Sequence, residues 1–172
     1  NGLFYGSGTA LVTPFRDGKV DFAALGALID WQISSGTDAL VVLGTTGEPS
    51  TLSDAERAQI IAFAVERAAG RVPVIAGTGS NDTAKAVALA RSAEAEGADA
   101  LLVVTPYYNK AGDDGLIQHF TAIAERVQVP IIAYNVPSRT GVNLKPEIVV
   151  ELAKHPRIRG IKEASGNMRQ IA

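Results

Sequence analysis

The chain has 172 residues, 47% of them hydrophobic and 20% charged, with a formal net charge of -2. That balance is too apolar for a disordered chain and too near neutral to point to nucleic acid or an anionic membrane. Cysteine is absent, which excludes disulfides, a cysteine nucleophile and thiolate metal sites and favours a reducing compartment. No apolar run is long enough to span a bilayer, and no charged-then-apolar signal peptide stands at the start. The chain opens at Asn1 without a methionine, and a start upstream of it is expected.

The first apolar run, Ala10 to Val12, reads as a strand. It leads into Val12-Thr13-Pro14-Phe15, which is not a glycine-rich phosphate loop. Asp21 is placed to cap a helix, with Val20 and Leu25 as a hydrophobic staple, and Gly36 follows as its left-handed stop. Ala39 to Leu43 is a continuous apolar run, followed by Gly44-Thr45-Thr46-Gly47-Glu48. Ser53-Asp54-Ala55-Glu56 is a capping box that opens a second helix, closed by Gly70. Val74 to Ala76 reads as a third strand, with Gly77-Thr78-Gly79 after it and Asn81 as the cap of a third helix that stops at Gly97. Ala100 to Val104 is followed by Thr105-Pro106-Tyr107-Tyr108-Asn109, and Asp113 is the predicted cap of a fourth helix. Ile131 to Tyr134 leads into Asn135-Val136-Pro137-Ser138-Arg139-Thr140-Gly141, and Pro146 suits the first turn of a fifth helix. Gly160 to Lys162 is the sixth strand. The two histidines, His119 and His155, fall in helical patterns without a second ligand at metal spacing, so both are expected at least partly exposed and no metal site is predicted.

Strand and helix thus alternate six times with no linker, the pattern of a parallel sheet with crossover helices. A doubly wound sheet would usually carry a phosphate loop after its first strand. A barrel instead brings reactive residues from several strand ends to one face, which is what this sequence offers. The predicted fold is an α/β (β/α)8 TIM barrel. Eight strands typically take about 250 residues, so the chain holds about the first six βα units, as a single barrel domain over 1–172 cut short at its C-terminal end.

Lys162 ends an apolar strand. Turned into a barrel mouth and shielded from water, its amine could lose its proton, attack a ketone and form an imine; turned outward, it is a lysine snorkelling to solvent. Tyr134 ends another strand, where a phenol can relay a proton or simply sit in the core. Thr45 and Thr46, between Gly44 and Gly47, could cradle a small carboxylate or form a plain turn. Arg139 could clamp a carboxylate with two prongs, and exposed Tyr107 and Tyr108 suit a subunit interface as well as catalysis. Five reactive types at strand ends favour a site with a lysine, a proton relay and two carboxylate anchors.

The motifs Gly44-Thr45-Thr46-Gly47-Glu48, Pro106-Tyr107-Tyr108-Asn109, Tyr134 to Gly141 and Gly160-Ile161-Lys162-Glu163, in this order, resemble the dihydrodipicolinate synthase family of the pyruvate-dependent Schiff-base aldolase superfamily. The likeness implies a lyase that joins pyruvate, held as an imine on Lys162, to L-aspartate 4-semialdehyde, giving 4-hydroxy-tetrahydrodipicolinate on the route to diaminopimelate and lysine. It implies no separate cofactor. Tyr134 would pass protons, Thr45 and Tyr108 would complete the relay, Thr46 would bind the pyruvate carboxylate, and Arg139 that of the semialdehyde. Gly44 and Gly47, on either side of the threonines, would be substrate-binding with Thr46. The family is usually a cytoplasmic homotetramer, which implies a homo-oligomer here, dimer or tetramer, with Tyr108 reaching a neighbouring subunit.

N-acetylneuraminate lyase and the sugar-acid aldolases share the lysine and tyrosine, but Ser138-Arg139-Thr140-Gly141 is more similar to the synthase. A barrel fragment without catalysis is the other alternative. In members inhibited by lysine, the effector cleft would match Ser50, Asp54, Arg57, Asn81, Lys85 and Tyr107. Lys85 there replaces a carboxylate, which implies weak inhibition.

Overall fold

The computed structural model describes residues 3–172; Asn1 lies outside them. Six strands follow chain order in one sheet, β1 (Gly8–Ala10), β4 (Ala39–Val42), β5 (Val74–Gly77), β6 (Ala100–Val104), β7 (Ile131–Asn135) and β8 (Ile158–Glu163). The fold class read from the sequence holds: these are six βα units of the (β/α)8 type. The described residues form two compact units, one of residues 3–77 and 92–100, the other of residues 78–91 and 101–172.

In the first unit β4 pairs in parallel with β1 and β5. All four residues of β4 are buried, as expected of a strand covered on both faces. Helices α1 (Phe22–Ser34) and α2 (Asp54–Ala68) pack together, with the Phe22 and Phe63 rings 5.1 Å apart. Gly26 permits this approach, because a Cβ there would lie 3.2 Å from the Phe63 ring. Leu25, Ile29, Leu40, Ile60, Ala64 and Ile75 fill the core, the larger of them worth roughly 1.5–3 kcal/mol each relative to exposure. Both predicted caps form. The Asp21 carboxylate accepts from the Ala24 N–H at 2.9 Å, and Ser53 and Glu56 make the reciprocal capping box.

The first strand lies two residues earlier than its apolar run. Gly8 to Ala10 pair with Ala39 to Val41, while Val12 is half exposed. After it comes a hairpin of β2 (Phe15–Arg16) and β3 (Lys19–Val20), which the sequence reading does not contain. Its turn is Asp17-Gly18, with φ of 51° and 73°, a dipeptide that signals such turns.

In the second unit β7 pairs in parallel with β6 and β8. Helices α4 (Asp113–Ala124) and α6 (Pro146–Leu152) pack together, and Leu101, Leu116, Phe120, Ile123, Ile131 and Leu144 form the core. Pro146 opens α6 as expected. A short helix α5 (Pro137–Thr140) precedes it. Two caps differ from expectation. Helix α3 (Thr83–Ala95) is capped by Asp82, whose carboxylate accepts from the Ala84 N–H at 2.9 Å; Asn81 instead offers its carbonyl to the Asn109 side chain. Asp113 lies inside the first turn of α4, after Gly112, and pairs with Lys145 at 2.7 Å. The glycines Gly36 and Gly97 both take left-handed φ of 88° behind their helices, and Gly70 does so at 69°.

His119 is a further correction. It is 3% exposed, not a surface residue, with Nδ1 2.9 Å from the Thr83 hydroxyl and Nε2 without a partner. Its place on the inner face of α4, between Leu116 and Phe120, decides this.

Candidate active site

In the second unit the registers of β7 and β8 set Tyr134 opposite Lys162. The Lys162 Nζ stands 4.5 Å from the centre of the Tyr134 ring. Tyr134 is buried at 6% exposure, whereas Lys162 is exposed. Among the described residues β8 pairs with β7, and its side chains are less covered than those of β4 or β6.

The next pair in the register is Asn135 and Glu163. Asn135 is fully buried. Its Oδ1 accepts from the Leu144 N–H at 2.8 Å, and its Nδ2 donates to Asn143 Oδ1 at 2.9 Å and to both Glu163 oxygens at 3.2 and 3.0 Å. Glu163 also accepts from the Ser165 N–H at 2.7 Å and from Gln170 Nε2 at 3.0 Å. Burial pushes this carboxyl up, but the hydrogen bonds from Asn135, Ser165 and Gln170 outweigh burial and hold it below the usual carboxylate range. Asn135 and Glu163 fall within the motifs around Tyr134 and Lys162 and have no predicted role. The available signal is an amide between Tyr134 and Val136 in a buried strand.

Two loops carry the other candidates of this unit. Arg139 is exposed on α5, whose end is closed by Gly141 at φ 72°. The Tyr108 N–H reaches the Thr140 carbonyl at 3.4 Å, so the tyrosine loop adjoins the arginine turn. Tyr108 is 88% exposed and has φ 73°, uncommon for an aromatic residue, and Tyr107 is 39% exposed. Asn81 is half-buried and Lys85 exposed.

In the first unit, β4 is followed by Leu43, a buried leucine with φ 56°. A tight turn over Thr45–Gly47 follows, and Glu48 at φ 51° ends it. Thr45 and Thr46 are exposed, while Gly44 and Gly47 are buried. The buried Thr13 hydroxyl donates to the Gly47 carbonyl at 2.8 Å and anchors the turn to the segment after β1. Gly77 gives the turn its room, because a Cβ there would lie 2.0 Å from the Leu43 carbonyl oxygen. Ser50 is exposed on the next turn, and Arg57 donates to the Pro49 carbonyl at 3.1 and 2.8 Å.

A family model described as the dihydrodipicolinate synthetase family matches residues 3–172. The chain belongs to this family. It is 57% identical over 171 residues to the 4-hydroxy-tetrahydrodipicolinate synthase of Thermoanaerobacter sp. (strain X514), which covers 99% of this chain and 58% of that protein. Among solved structures, the chloride-inhibited dihydrodipicolinate synthase of Acinetobacter baumannii, complexed with pyruvate, matches at TM-score 0.94 and 51% identity, over 96% of this chain and 57% of that one. A monomeric dihydrodipicolinate synthase variant matches at TM-score 0.97 and 45% identity, over 98% of this chain and 57% of that one. The chain thus spans somewhat more than half the length of the relatives it matches. Among the described residues of this family member, no helix is long and apolar enough to cross a membrane, and no group of three or more histidine, cysteine or acidic side chains could hold a metal.

Proposed function

We propose that Lys162 captures pyruvate as a Schiff base, in the reaction of a 4-hydroxy-tetrahydrodipicolinate synthase. The observation that carries this reading is the Lys162 amine above the Tyr134 ring, at the ends of two adjacent parallel strands. The amine adds to the ketone, water leaves, and a protonated imine remains as an electron sink. Loss of a methyl proton gives the enamine, which attacks the aldehyde of aspartate 4-semialdehyde. The substrate's own amine then displaces Lys162 and closes the ring. Tyr134 is the group beside the nitrogen that can exchange these protons.

The remaining roles rest on the motif likeness. Thr45 and Tyr108 complete the relay, Thr46 within the Gly44–Gly47 turn receives the pyruvate carboxylate, and Arg139 receives the carboxylate of the semialdehyde. Exposure of Thr46 and Arg139 leaves both available for a ligand. The reaction takes place in the cytoplasm with no separate cofactor. Exposed Tyr107 and Tyr108 support contact with a second copy in a dimer or tetramer, read by sedimentation analysis. Ser50, Asn81, Lys85 and Tyr107 are the positions of an effector cleft.

The test is to add pyruvate, reduce with borohydride and weigh the intact chain. A mass gain that maps to Lys162 and disappears in Lys162→Met supports the reading. No adduct on a folded chain overturns it and leaves a barrel scaffold without catalysis. Turnover of a sugar acid, with indifference to aspartate semialdehyde, would assign a sister aldolase instead.

A further inference from the structure

The meeting of Tyr134 and Lys162 depends on a choice of register. Side chains alternate between the faces of a strand, so a slip of one residue moves each to the opposite face. β7 and β8 begin with Ile131 opposite Ile158, yet Ile132 pairs with Gly160, which leaves Arg159 as an extra residue in β8. Without that shift Tyr134 would face Ile161 and Asn135 would face Lys162. The amine would then turn to the face away from the Tyr134 ring. With it, Tyr134 pairs with Lys162 and Asn135 with Glu163. Bulges of this kind re-aim side chains beside functional sites.

The polar groups next to the bulge distinguish the two registers. In the observed one, the buried Asn135 amide donates to the Glu163 carboxylate and to Asn143, and accepts from the Leu144 N–H. Gln170 closes the ring of contacts, donating to Glu163 Oε2 at 3.0 Å and to Asn143 Oδ1 at 3.1 Å while its own oxygen accepts from Asn143 at 2.8 Å. In the slipped register the Asn135 donors would face an ammonium, and Glu163 would leave its donors for the face of Tyr134. A buried amide without partners and a displaced carboxylate both disfavour that state.

We infer that Asn135, Glu163, Asn143 and Gln170 form a register lock that places the Lys162 amine on the Tyr134 ring, which makes Glu163 a positioning residue for imine formation. The lock acts from the opposite side of the strand pair and touches no reacting atom. This inference rests on the reading of Lys162 as the imine-forming lysine.

Two variants, Glu163→Ala and Gln170→Ala, test it, with Leu152→Ala as a control that destabilises the buried side of α6. The first readout is the rate of borohydride-trapped pyruvate adduct against pyruvate concentration. A misplaced amine lowers the maximal rate of Glu163→Ala by about 10- to 100-fold, with little change in the half-saturating concentration. Gln170→Ala shows a smaller fall in the same direction. Leu152→Ala melts earlier and traps at the parent rate. The second readout needs no reaction with pyruvate: after reductive methylation of the lysines with 13C-formaldehyde and cyanoborohydride, the Lys162 signal carries the ring-current shift of Tyr134, and the two lock variants reduce that shift.

Parent trapping rates and an unchanged Lys162 signal in folded lock variants overturn the lock. Should Glu163→Ala not fold, Gln170→Ala decides by the same measures. Should the parent chain form no adduct, the Schiff-base reading fails, while the ring-current shift still reports on the register.

Discussion

Substitution of Gly77 by alanine probes how closely the Thr45–Thr46 turn is fitted to its support. The added Cβ would lie 2.0 Å from the Leu43 carbonyl oxygen, 2.5 Å from its carbon and 2.9 Å from the Gly44 nitrogen. All three are backbone atoms, so no side chain can swing aside. Relief requires moving the Leu43–Gly44 peptide, which is buried and already carries a left-handed leucine. Overpacking typically costs about 1–3 kcal/mol, and a clash with backbone belongs at or above the top of that range. For a domain of this size about 3 kcal/mol corresponds to a fall in melting temperature of roughly 6–12 °C. Gly160→Ala is the matched control, since its nearest foreign atoms are on Ile132 at 4.0 Å. Both variants are followed by circular dichroism during heating. The control stays within about 2 °C of the parent. A Gly77→Ala chain that melts alongside the control would refute the argument, because the strand and turn would then yield where the contacts say they cannot.

Thr13→Val keeps the side-chain shape but removes the donor to the buried Gly47 carbonyl, and should cost about 1–2 kcal/mol in urea unfolding while Thr13→Ser keeps the hydrogen bond. His119 gives a pH signature. Burial pushes its imidazole below the usual 6.5, and the nearby Asp82 partly opposes this. The unfolded chain therefore binds the proton first. The cost is absent above pH 6.5, grows as pH falls below it, and stops growing under the lowered folded pKa. His119→Leu should flatten stability against pH in that window, and an unchanged slope would argue against it. If the proposed effector cleft forms, lysine should inhibit weakly or not at all, because Lys85 would present a like charge to the effector's amine; strong inhibition at low lysine in a coupled assay would contradict that reading.

The order of elements was legible in the sequence because its signals are local. Continuous apolar runs mark β4 and β6 within a residue of their observed ends, and the Asp21 and Ser53 caps depend on side chains three residues from their partners. The motifs around Thr45, Tyr108, Tyr134 and Lys162 could likewise be read as a constellation, and they carry the family. Apolar character alone does not say which residues of the first strand find a partner; pairing with Ala39 to Val41 selects Gly8 to Ala10. Asn81 and Asp82 are equally good caps on paper, and the choice between them lies in the backbone turn that the Asn109 contact helps to hold.

By itself, then, the sequence determined six βα units, their order, and which reactive side chains stand at their ends, since periodicity and capping act over a few residues. Only the tertiary structure decided that His119 is buried and that the Lys162 amine lies on the Tyr134 ring. Those outcomes depend on register and packing between segments far apart in the chain. A one-residue bulge at Arg159 and the buried Asn135 amide settle the register, and no local pattern around Lys162 contains them.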